Sequence, residues 1–332
     1  MTPTLTTPAV TTPAVKTPAA GTSGQQKFLE ELIRHGHYLP SGEPGIYGRG
    51  MAFEEVRNRF DDLVSRVCAP DKPEMPRFPP IIPRRTLEKA GYLKSFPQLC
   101  GAVFSFAGKE AAALDLAERA SRGDDWSQYL SMTDVVLVPA ACYPAYPAMA
   151  LRGPLPKGGV TLDLGGCHVF RNEPSGDPAR LQMFHQREMV RIGEAEEVLA
   201  WRETWMARAK SIFEQSGLSA TLALASDPFF GRGGKLMANN QREQGLKFEV
   251  LVPIASPEPT AVSSFNFHQD HFGSAFGIQL HDGRVANSAC LGFGLERITL
   301  ALFRAHGLEV RDWPKDIRSR LWPEANGASP RR

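Results

Sequence analysis

The sequence predicts an α+β fold, in which a largely antiparallel sheet is flanked by helices. Two observations support this prediction. Segments of strand character follow one another in a run, with turn-forming residues between them. Stretches with apolar residues at helical spacing bracket that run. Because strands joined by hairpin turns pair antiparallel, the helices outside the run are left to cover the faces of the sheet.

The first half of the chain is predicted as two helices and one short strand. Apolar side chains at helical spacing predict a helix over residues 53–67, and the proline-rich stretch 70–83 predicts an extended segment. A second helix is predicted over 109–129. The β-branched run 135–138 then predicts a short strand that ends at Pro139.

The second half begins with a long hairpin. Strands are predicted over residues 161–173 and 181–192, because Pro174 to Pro178 form a run of turn residues between them. A helix over 194–214 follows, with its acidic residues first, as the helix dipole prefers. The remaining predicted elements are strands over 220–225, 247–254, 261–267 and 276–280, a turn at Asp282-Gly283 and a last helix over 292–306.

Both ends of the chain are predicted to lie outside the folded domain. Residues 1–25 repeat Thr, Pro and Ala and offer too little apolar surface to offset the entropy of ordering them, so we expect a disordered tail. That tail has neither the pattern of a secretory signal nor the arginines of a transit peptide. We expect one domain over 26–320 and a flexible tail over 321–332.

Composition narrows the class of protein. Of 332 residues, 42% are hydrophobic and 22% charged, which is ordinary for a globular protein. The 38 basic and 36 acidic residues give a net charge of +2, which argues against a dedicated nucleic-acid binder. Prolines interrupt the longest apolar run, residues 135–151, so we expect no membrane span. Five scattered cysteines favour a reducing, cytoplasmic location over a disulfide scaffold.

The predicted hairpin carries a set of side chains suited to a nucleotide. Alternation along a strand predicts that one sheet face presents Arg171 and Glu173, and on the return strand Arg180, Phe184 and Glu188. Arginines bind phosphate oxygens in pairs of hydrogen bonds, and an aromatic face can stack on a base. The alternative is a solvated hairpin with salt bridges across its strands.

A second pattern is Gly292-Phe293-Gly294-Leu295-Glu296-Arg297, at the start of the last predicted helix. Its glycines would let the backbone approach a ligand closely. It lacks the third glycine of the dinucleotide-binding fingerprint and follows no βαβ pattern, so alone it is weak evidence.

Together and in this order, the two patterns resemble motifs 2 and 3 of the class II aminoacyl-tRNA synthetase core, and residues 77–83 resemble its motif 1, a dimer element. The resemblance implies the class II fold, a homodimer and ATP as co-substrate. It also implies that Arg171 holds the α-phosphate, Glu173 the adenine amino group and Arg180 the outer phosphates. Phe184 would stack on adenine, and Arg297 would cover its other face or bind the γ-phosphate. Arg171 and Arg297 are then the catalytic pair.

Three further residues, Cys142, Glu188 and Cys290, coincide with the zinc ligands of the atypical, methanogen-type seryl-tRNA synthetases. Their spacing alone does not reveal a site, because a free cysteine is usually a small buried hydrophobe. The resemblance implies one Zn²⁺ per subunit, bound by two thiolates and one carboxylate with a fourth position open. Through that metal, Glu188 would help to bind the amine of the substrate amino acid.

The sequence offers no obvious module for reading tRNA. It resembles amino acid:[carrier protein] ligases, the short relatives of the seryl enzymes. This implies AMP-forming activation of glycine or alanine, transfer to the phosphopantetheine thiol of a carrier protein, and no tRNA partner. Residues 227–245 are a candidate insertion for docking that carrier. The alternatives are a minimal tRNA synthetase with a separate tRNA-binding part, and a non-catalytic paralogue with a regulatory role.

Magnesium is harder to place. Glu249 is the candidate ligand, and the alternative is an ordinary surface carboxylate. Class II cores usually have an acid where this chain has Thr260, and Ser263 is a candidate substitute. His268 and His271, three apart on a predicted strand, are expected to face opposite ways and to make structural hydrogen bonds.

Overall fold

The computed structural model describes residues 23–256 and 258–323 of the chain. The helices in these ranges are α1 Ser23–Arg34, α2 Met51–Cys68, α3 Arg84–Lys89, α4 Tyr92–Ser95, α5 Glu110–Arg122, α6 Ala145–Ala150, α7 Ala195–Gln215, α8 Gly231–Glu243, α9 His271–Phe276, α10 Leu295–His306 and α11 Lys315–Leu321. The strands are β1 Tyr38–Pro40, β2 Tyr47–Arg49, β3 Ile81–Pro83, β4 Ala102–Phe106, β5 Leu130–Leu137, β6 Val160–Phe170, β7 Met183–Gly193, β8 Thr221–Leu224, β9 Lys247–Val252, β10 Thr260–Gln269 and β11 Asn287–Gly294.

A six-stranded sheet of order β6-β7-β11-β10-β9-β8 forms the centre of the fold. Every neighbouring pair in it is antiparallel, which confirms the predicted sheet. A smaller sheet of order β3-β5-β4 lies beside it, and β1 pairs with β2. Within the described ranges, no helix is both long and apolar enough to cross a membrane.

The two faces of the main sheet carry two separate cores. One core packs α1, α2, α7, α10 and α11 onto the sheet and includes Phe53, Trp205 and Phe293. The other includes Ile82, Tyr146 and Cys290 and packs the segment from β3 to α6, together with α9, onto the opposite face. Because alternate residues of a strand enter opposite cores, the buried candidate residues Glu188 and Cys290 both belong to the second face.

The long helices follow the apolar spacing of the sequence. Helix α2 buries Phe53, Val56 and Phe60 on one stripe, as the spacing predicts. Helix α7 lies within one residue of its predicted bounds at each end. The predicted helix over 109–129 ends earlier, at Arg122, because Gly123 takes a left-handed conformation with φ of 75° and caps it.

Of the predicted elements near the C-terminal end of the chain, one strand was wrong, and the last helix begins three residues later than predicted. The predicted strand 276–280 is instead the end of α9, which Gly277 terminates at φ 75°, followed by a single bridge between Gln279 and Val285. The predicted helix 292–306 begins at Leu295, since Gly292–Gly294 extends β11. The turn at Asp282-Gly283 is confirmed.

At both ends, the described residues extend beyond the predicted domain, 26–320. Residues 1–22 and 324–332 lie outside the described ranges. Of the predicted N-terminal tail, residues 23–25 form the first turn of α1. At the other end, Leu321 closes α11 and is fully buried.

Candidate functional site

The centre of the site is a buried cluster of Cys142, Glu188 and Cys290. One sulfur or carboxylate oxygen from each residue lies within 4.8 Å of the others. Glu188 comes from the middle of β7, Cys290 from the middle of β11 and Cys142 from the turn between β5 and α6. The structure therefore brings together the three ligands that the resemblance implied.

Sheet register explains how these distant residues meet. Glu188 pairs with Gly292 across β7 and β11, so Cys290, two residues away on the same face, lies beside the carboxylate. The backbone N–H of Cys142 donates to Glu188 Oε2 at 2.7 Å, and that of Ala141 donates to Gln186 Oε1 at 3.0 Å. Gln186 is a site residue that the motif analysis missed, although its spacing of two from Glu188 places both on one face.

Gly292 leaves space at the strand end that faces these side chains. A Cβ atom on Gly292 would lie 2.7 Å from Gln186 Nε2. The first glycine of the motif therefore leaves room for the Gln186 amide, which in turn holds the turn that carries Cys142.

The electrostatics of the cluster favour a cation. Burial raises the pKa of Glu188 and of Cys142, and a hydrogen bond that the Cys290 thiol donates to Cys142, together with burial, raises the pKa of Cys290. These raised pKa values favour the protonated side chains. A divalent cation reverses that preference by stabilising the ionised ligands. Two thiolates and one carboxylate are a donor set that zinc accepts, so the residues fit the metal.

Hydrogen-bond donors surround the cluster. His268 Nε2 lies 3.4 Å from Cys290 Sγ, and His268 Nδ1 lies 3.0 Å from Ser288 Oγ and 3.3 Å from the Tyr146 hydroxyl. Burial lowers the pKa of His268 to about 3, so its ring is neutral at physiological pH. His271 belongs to α9 rather than to a strand, and its Nε2 lies 3.0 Å from the carbonyl oxygen of Ala90. The two histidines make separate structural hydrogen bonds, as expected, but the expectation that they face opposite ways was wrong, because His271 lies on a helix and both border the same cavity.

A cavity of about 420 Å³ opens from the cluster and is also lined by Arg171. Helices α4 and α8 form one of its walls. Asp227 and Lys247, also on that wall, form an ion pair of 2.5 Å, and Gln241 of α8 donates to Asp227. Although burial alone would raise it, the pKa of Asp227 is lowered by Lys247. The Gln241 hydrogen bond links α8 to this ion pair, which the sequence analysis missed.

Phe184 and Arg297 line a separate, much smaller pocket of about 10 Å³. The Arg171 guanidinium lies 5.8 Å from the centre of the Phe184 ring, between the two spaces. Arg297 donates to the carbonyls of Ala179 at 2.8 Å and Ala261 at 2.9 Å. Burial, and then the nearby Arg171, lower the pKa of Arg297 to about 10, so it keeps its charge at neutral pH.

The remaining candidates line neither cavity. Arg180 lies on the surface, 4.0 Å from a Glu173 oxygen. Glu249 pairs with Lys247 at 2.9 Å. Across β9 and β10, Glu249 faces Ser264, which lines the large cavity, whereas Ser263 faces Val250 and is buried in the opposite core. The expectation that Ser263 could replace a magnesium ligand was wrong, because a strand bulge after Ala261 sets which serine faces the cavity.

The motif 2 hairpin also differs from its prediction. Its strands span Val160–Phe170 and Met183–Gly193, so Arg171, Glu173 and Arg180 lie outside them. The expected alternation therefore holds only for the residues inside β7.

Comparisons with known proteins identify relatives over most of the chain, although no protein-family model matches it. It is 46% identical over 281 residues to amino acid--[acyl-carrier-protein] ligase 2 of Bradyrhizobium diazoefficiens, covering 84% of each chain. Ligase 1 of the same organism is 45% identical over 281 residues, covering 84% of this chain and 86% of that protein. A type-2 serine--tRNA ligase of Methanopyrus kandleri is 28% identical over 321 residues, covering 88% of this chain and 59% of that protein.

Among solved structures, the complex of M. kandleri SerRS with A. aeolicus tRNASec contains a similar chain, with a TM-score of 0.77 and 22% identity. The match covers 97% of this chain and 64% of that one, and it confirms the class II synthetase fold. At this identity it shows the fold alone. The two ligases show more, because their similarity is both high and nearly full-length. The chain belongs to the amino acid--[acyl-carrier-protein] ligase family.

Proposed function

We propose that the protein activates a small amino acid, glycine or alanine, with ATP and transfers it to the phosphopantetheine thiol of a carrier protein. In the first step a carboxylate oxygen attacks the α-phosphorus and pyrophosphate leaves. In the second, the thiol sulfur attacks the carbonyl carbon, AMP leaves and the thiol loses its proton. One observation carries the proposal: the Cys142, Glu188 and Cys290 cluster and the Arg171 guanidinium line the same cavity.

The arginines and the aromatic ring would position ATP. Arg171 lines the large cavity, lies near the Phe184 ring of the small pocket, and would stabilise the charge that develops on the α-phosphate. Phe184 and Arg297 line the small pocket. Once this pocket widens, the two side chains would contact opposite faces of an adenine ring. Glu173 and Arg180 would bind the adenine amino group and the outer phosphates from the loop.

Cys142, Glu188 and Cys290 would hold one zinc ion per subunit. When bound, zinc would act as a Lewis acid toward the substrate amine. Glu188 would thereby contribute to substrate binding. Magnesium would accompany ATP, with Glu249 and Ser264 as the side chains facing each other across β9 and β10.

The deciding experiment is ATP–pyrophosphate exchange by zinc-replete protein with a panel of amino acids. We expect exchange with glycine or alanine, followed by transfer of labelled amino acid to phosphopantetheinylated carrier protein and not to total tRNA. Absence of exchange with every amino acid would overturn the proposal. Label on tRNA alone would instead identify a minimal tRNA synthetase.

Helix α8 is the proposed docking site for the carrier. It contributes Met237, Asn240 and Gln241 to the cavity wall and exposes Arg232 and Lys235. A partner bound there could deliver a long thiol arm to the site. Reversing both charges with Arg232→Glu and Lys235→Glu should raise KM for the carrier and leave exchange unchanged; an unchanged KM would place docking elsewhere.

We also propose a homodimer and a cytoplasmic location. Phe104 and Met132, cross-strand neighbours on the smaller sheet, are 54% and 42% exposed, and Phe106 extends the same apolar face. A second copy would cover this face, and light scattering should give the mass of two chains, whereas Phe104→Glu should give one. All five cysteines are free thiols, as a reducing compartment maintains them.

A further inference from the structure

We propose that His268 is a positioning residue for the metal centre, which donates its Nε2–H to the Cys290 thiolate while Ser288 fixes its tautomer. This role rests on the zinc site of the proposed function. It adds a residue to that site that is not a metal ligand and does not touch the substrate amine.

The tautomer follows from the chemistry of the partners. A metal-bound thiolate has no proton, so it can only accept a hydrogen bond. The ring nitrogen 3.4 Å from Cys290 Sγ must therefore carry the proton, which makes it Nε2–H. In the neutral ring Nδ1 is then an acceptor, and the Ser288 hydroxyl at 3.0 Å is placed to donate to it.

The backbone is shaped to aim this ring. In the pairing of β10 with β11, Phe267 faces Ala289 and Gln269 faces Ser288, so His268 is the extra residue of a bulge. A bulge redirects a side chain that regular alternation would place elsewhere. Gln269 beside it has φ of 55°, an unfavourable left-handed conformation for a residue other than glycine. The fold thus accepts local strain at the position that directs His268 toward Cys290.

Packing leaves the ring little freedom. His268 stands edge-on to Phe272 with ring centres 4.9 Å apart, and edge-on to Tyr146 at 6.1 Å. The serine that fixes Nδ1 is itself 1% exposed. A ring held on its faces by aromatics and on both nitrogens by polar partners has one orientation.

The hydrogen-bond donors around the cluster all offset its negative charge. Two thiolates and one carboxylate carry one more negative charge than Zn²⁺ neutralises, and burial makes that excess costly. Asn266 Nδ2 lies 3.4 Å from Cys290 Sγ as a second donor, and the Tyr146 hydroxyl bonds to Cys142 and lowers the pKa that burial raises. His268 therefore belongs to a shell that spreads the excess charge away from the sulfurs.

The test uses full-length protein with Co²⁺ in place of zinc, since cobalt–thiolate absorption reports on sulfur directly. His268→Phe keeps a ring of similar size without the N–H, and His268→Gln restores an N–H at the same reach. We expect His268→Phe to move the sulfur-to-cobalt absorption to longer wavelength and to release zinc to a chelator about 10–100 times more readily. His268→Gln should stay near wild type, and His271→Phe is the matched control with no sulfur contact.

The outcomes separate this role from the proposed function. If wild-type protein takes up neither zinc nor cobalt, the metal centre itself is overturned, and the role of His268 with it. If wild type binds cobalt and His268→Phe has the same spectrum and zinc release, only the role of His268 is overturned. Ser288→Ala provides an independent variant should His268→Phe not fold, and it should shift the absorption in the same direction by less.

Discussion

The proposed metal half and the proposed nucleotide half of the site are built in different ways. The metal half consists of residues that are at most 3% exposed and whose ligand atoms already lie together: Cys142, Glu188 and Cys290. The nucleotide half consists mainly of residues on a loop or at element ends, with exposure reaching 53% at Arg180: Arg171, Glu173, Arg180, Phe184 and Arg297.

The difference indicates which half must move when substrates bind. Buried hydrogen bonds fix the metal half in place, so it is preorganised for a small amine. The pocket of about 10 Å³ between Phe184 and Arg297 holds about one water molecule and cannot accept adenine. Since Arg297 ties the loop carbonyl of Ala179 to β10, we expect ATP to displace this loop. We therefore expect changes in the two halves to have separable effects.

The largest expected effect is the loss of the metal half in Cys290→Ala. Zinc content should fall from one per chain to nearly none, and amino-acid-dependent exchange should fall by more than ~100-fold, the upper end of what losing a second-shell partner costs. Metal analysis and ATP–pyrophosphate exchange measure the two effects. Cys167→Ala is the control, because this buried thiol on β6 is outside the cluster. Full activity without zinc would contradict the assignment.

Arg171→Lys should damage the nucleotide half alone. A lysine keeps the charge but loses the paired hydrogen bonds to a phosphate, so we expect exchange to fall by about 100-fold with zinc content unchanged. Arg191→Lys is the matched control, since Arg191 on β7 bonds Thr161 and Glu197 outside both cavities. Loss of zinc in Arg171→Lys would show that the halves are not independent.

The two halves also differ in what the sequence could predict. Alternation along β7 correctly places Phe184 and Glu188 on one face, since that strand is regular there. Alternation fails for Arg171 and Arg180, because β6 ends at Phe170 and the chain leaves the sheet. The metal ligands come from three elements far apart in sequence, so no local spacing reveals them, and only the family resemblance did.

Bulges are a second feature that the sequence does not reveal. His268 and Ser263 both lie next to register shifts in β10, and a bulge reverses the face that a period of two assigns. No local residue pattern in this sequence marks either shift. The strand predicted over 276–280 failed for a different reason: its first residue, Phe276, ends α9 against Tyr146, and Gly277 terminates that helix at a φ of 75°.

A smaller effect is expected on stability at the wall of the large cavity. Asp227→Asn leaves the buried Lys247 with Glu249 as its remaining carboxylate partner. The free energy of unfolding at pH 7 should therefore fall by about 2 kcal/mol, which is less than the ~3–5 kcal/mol lost when a fully buried pair is broken. The folded-state pKa of Asp227 is lowered. The stability it contributes is therefore complete above the unfolded pKa and is lost as pH falls through the folded value.

Urea unfolding at pH 7 and pH 3 measures this pH dependence. The difference in the free energy of unfolding between wild type and Asp227→Asn should shrink at pH 3. At pH 7 the two proteins should have the same zinc content. Asp134→Asn is the control, because Asp134 is 96% exposed and its pair with Arg84 lies on the surface. A difference that grows at pH 3 would show that Asp227 is not ionised in the folded protein.

The smallest effect is expected at Arg180, the most exposed residue of the nucleotide half. Its guanidinium is 4.0 Å from Glu173 and 3.9 Å from Asp177, distances at which exposed pairs contribute little to stability. Arg180→Ala should therefore leave the melting temperature and zinc content unchanged and raise KM for ATP by about 10-fold or less. Because these weak pairs hold the loop in place, raising the salt concentration should affect KM for ATP more in wild type than in the variant. Equal salt dependence of KM for ATP in both proteins would mean that the loop moves without breaking these ion pairs. The hydrogen bonds of Arg297 would then be what keeps the nucleotide half closed.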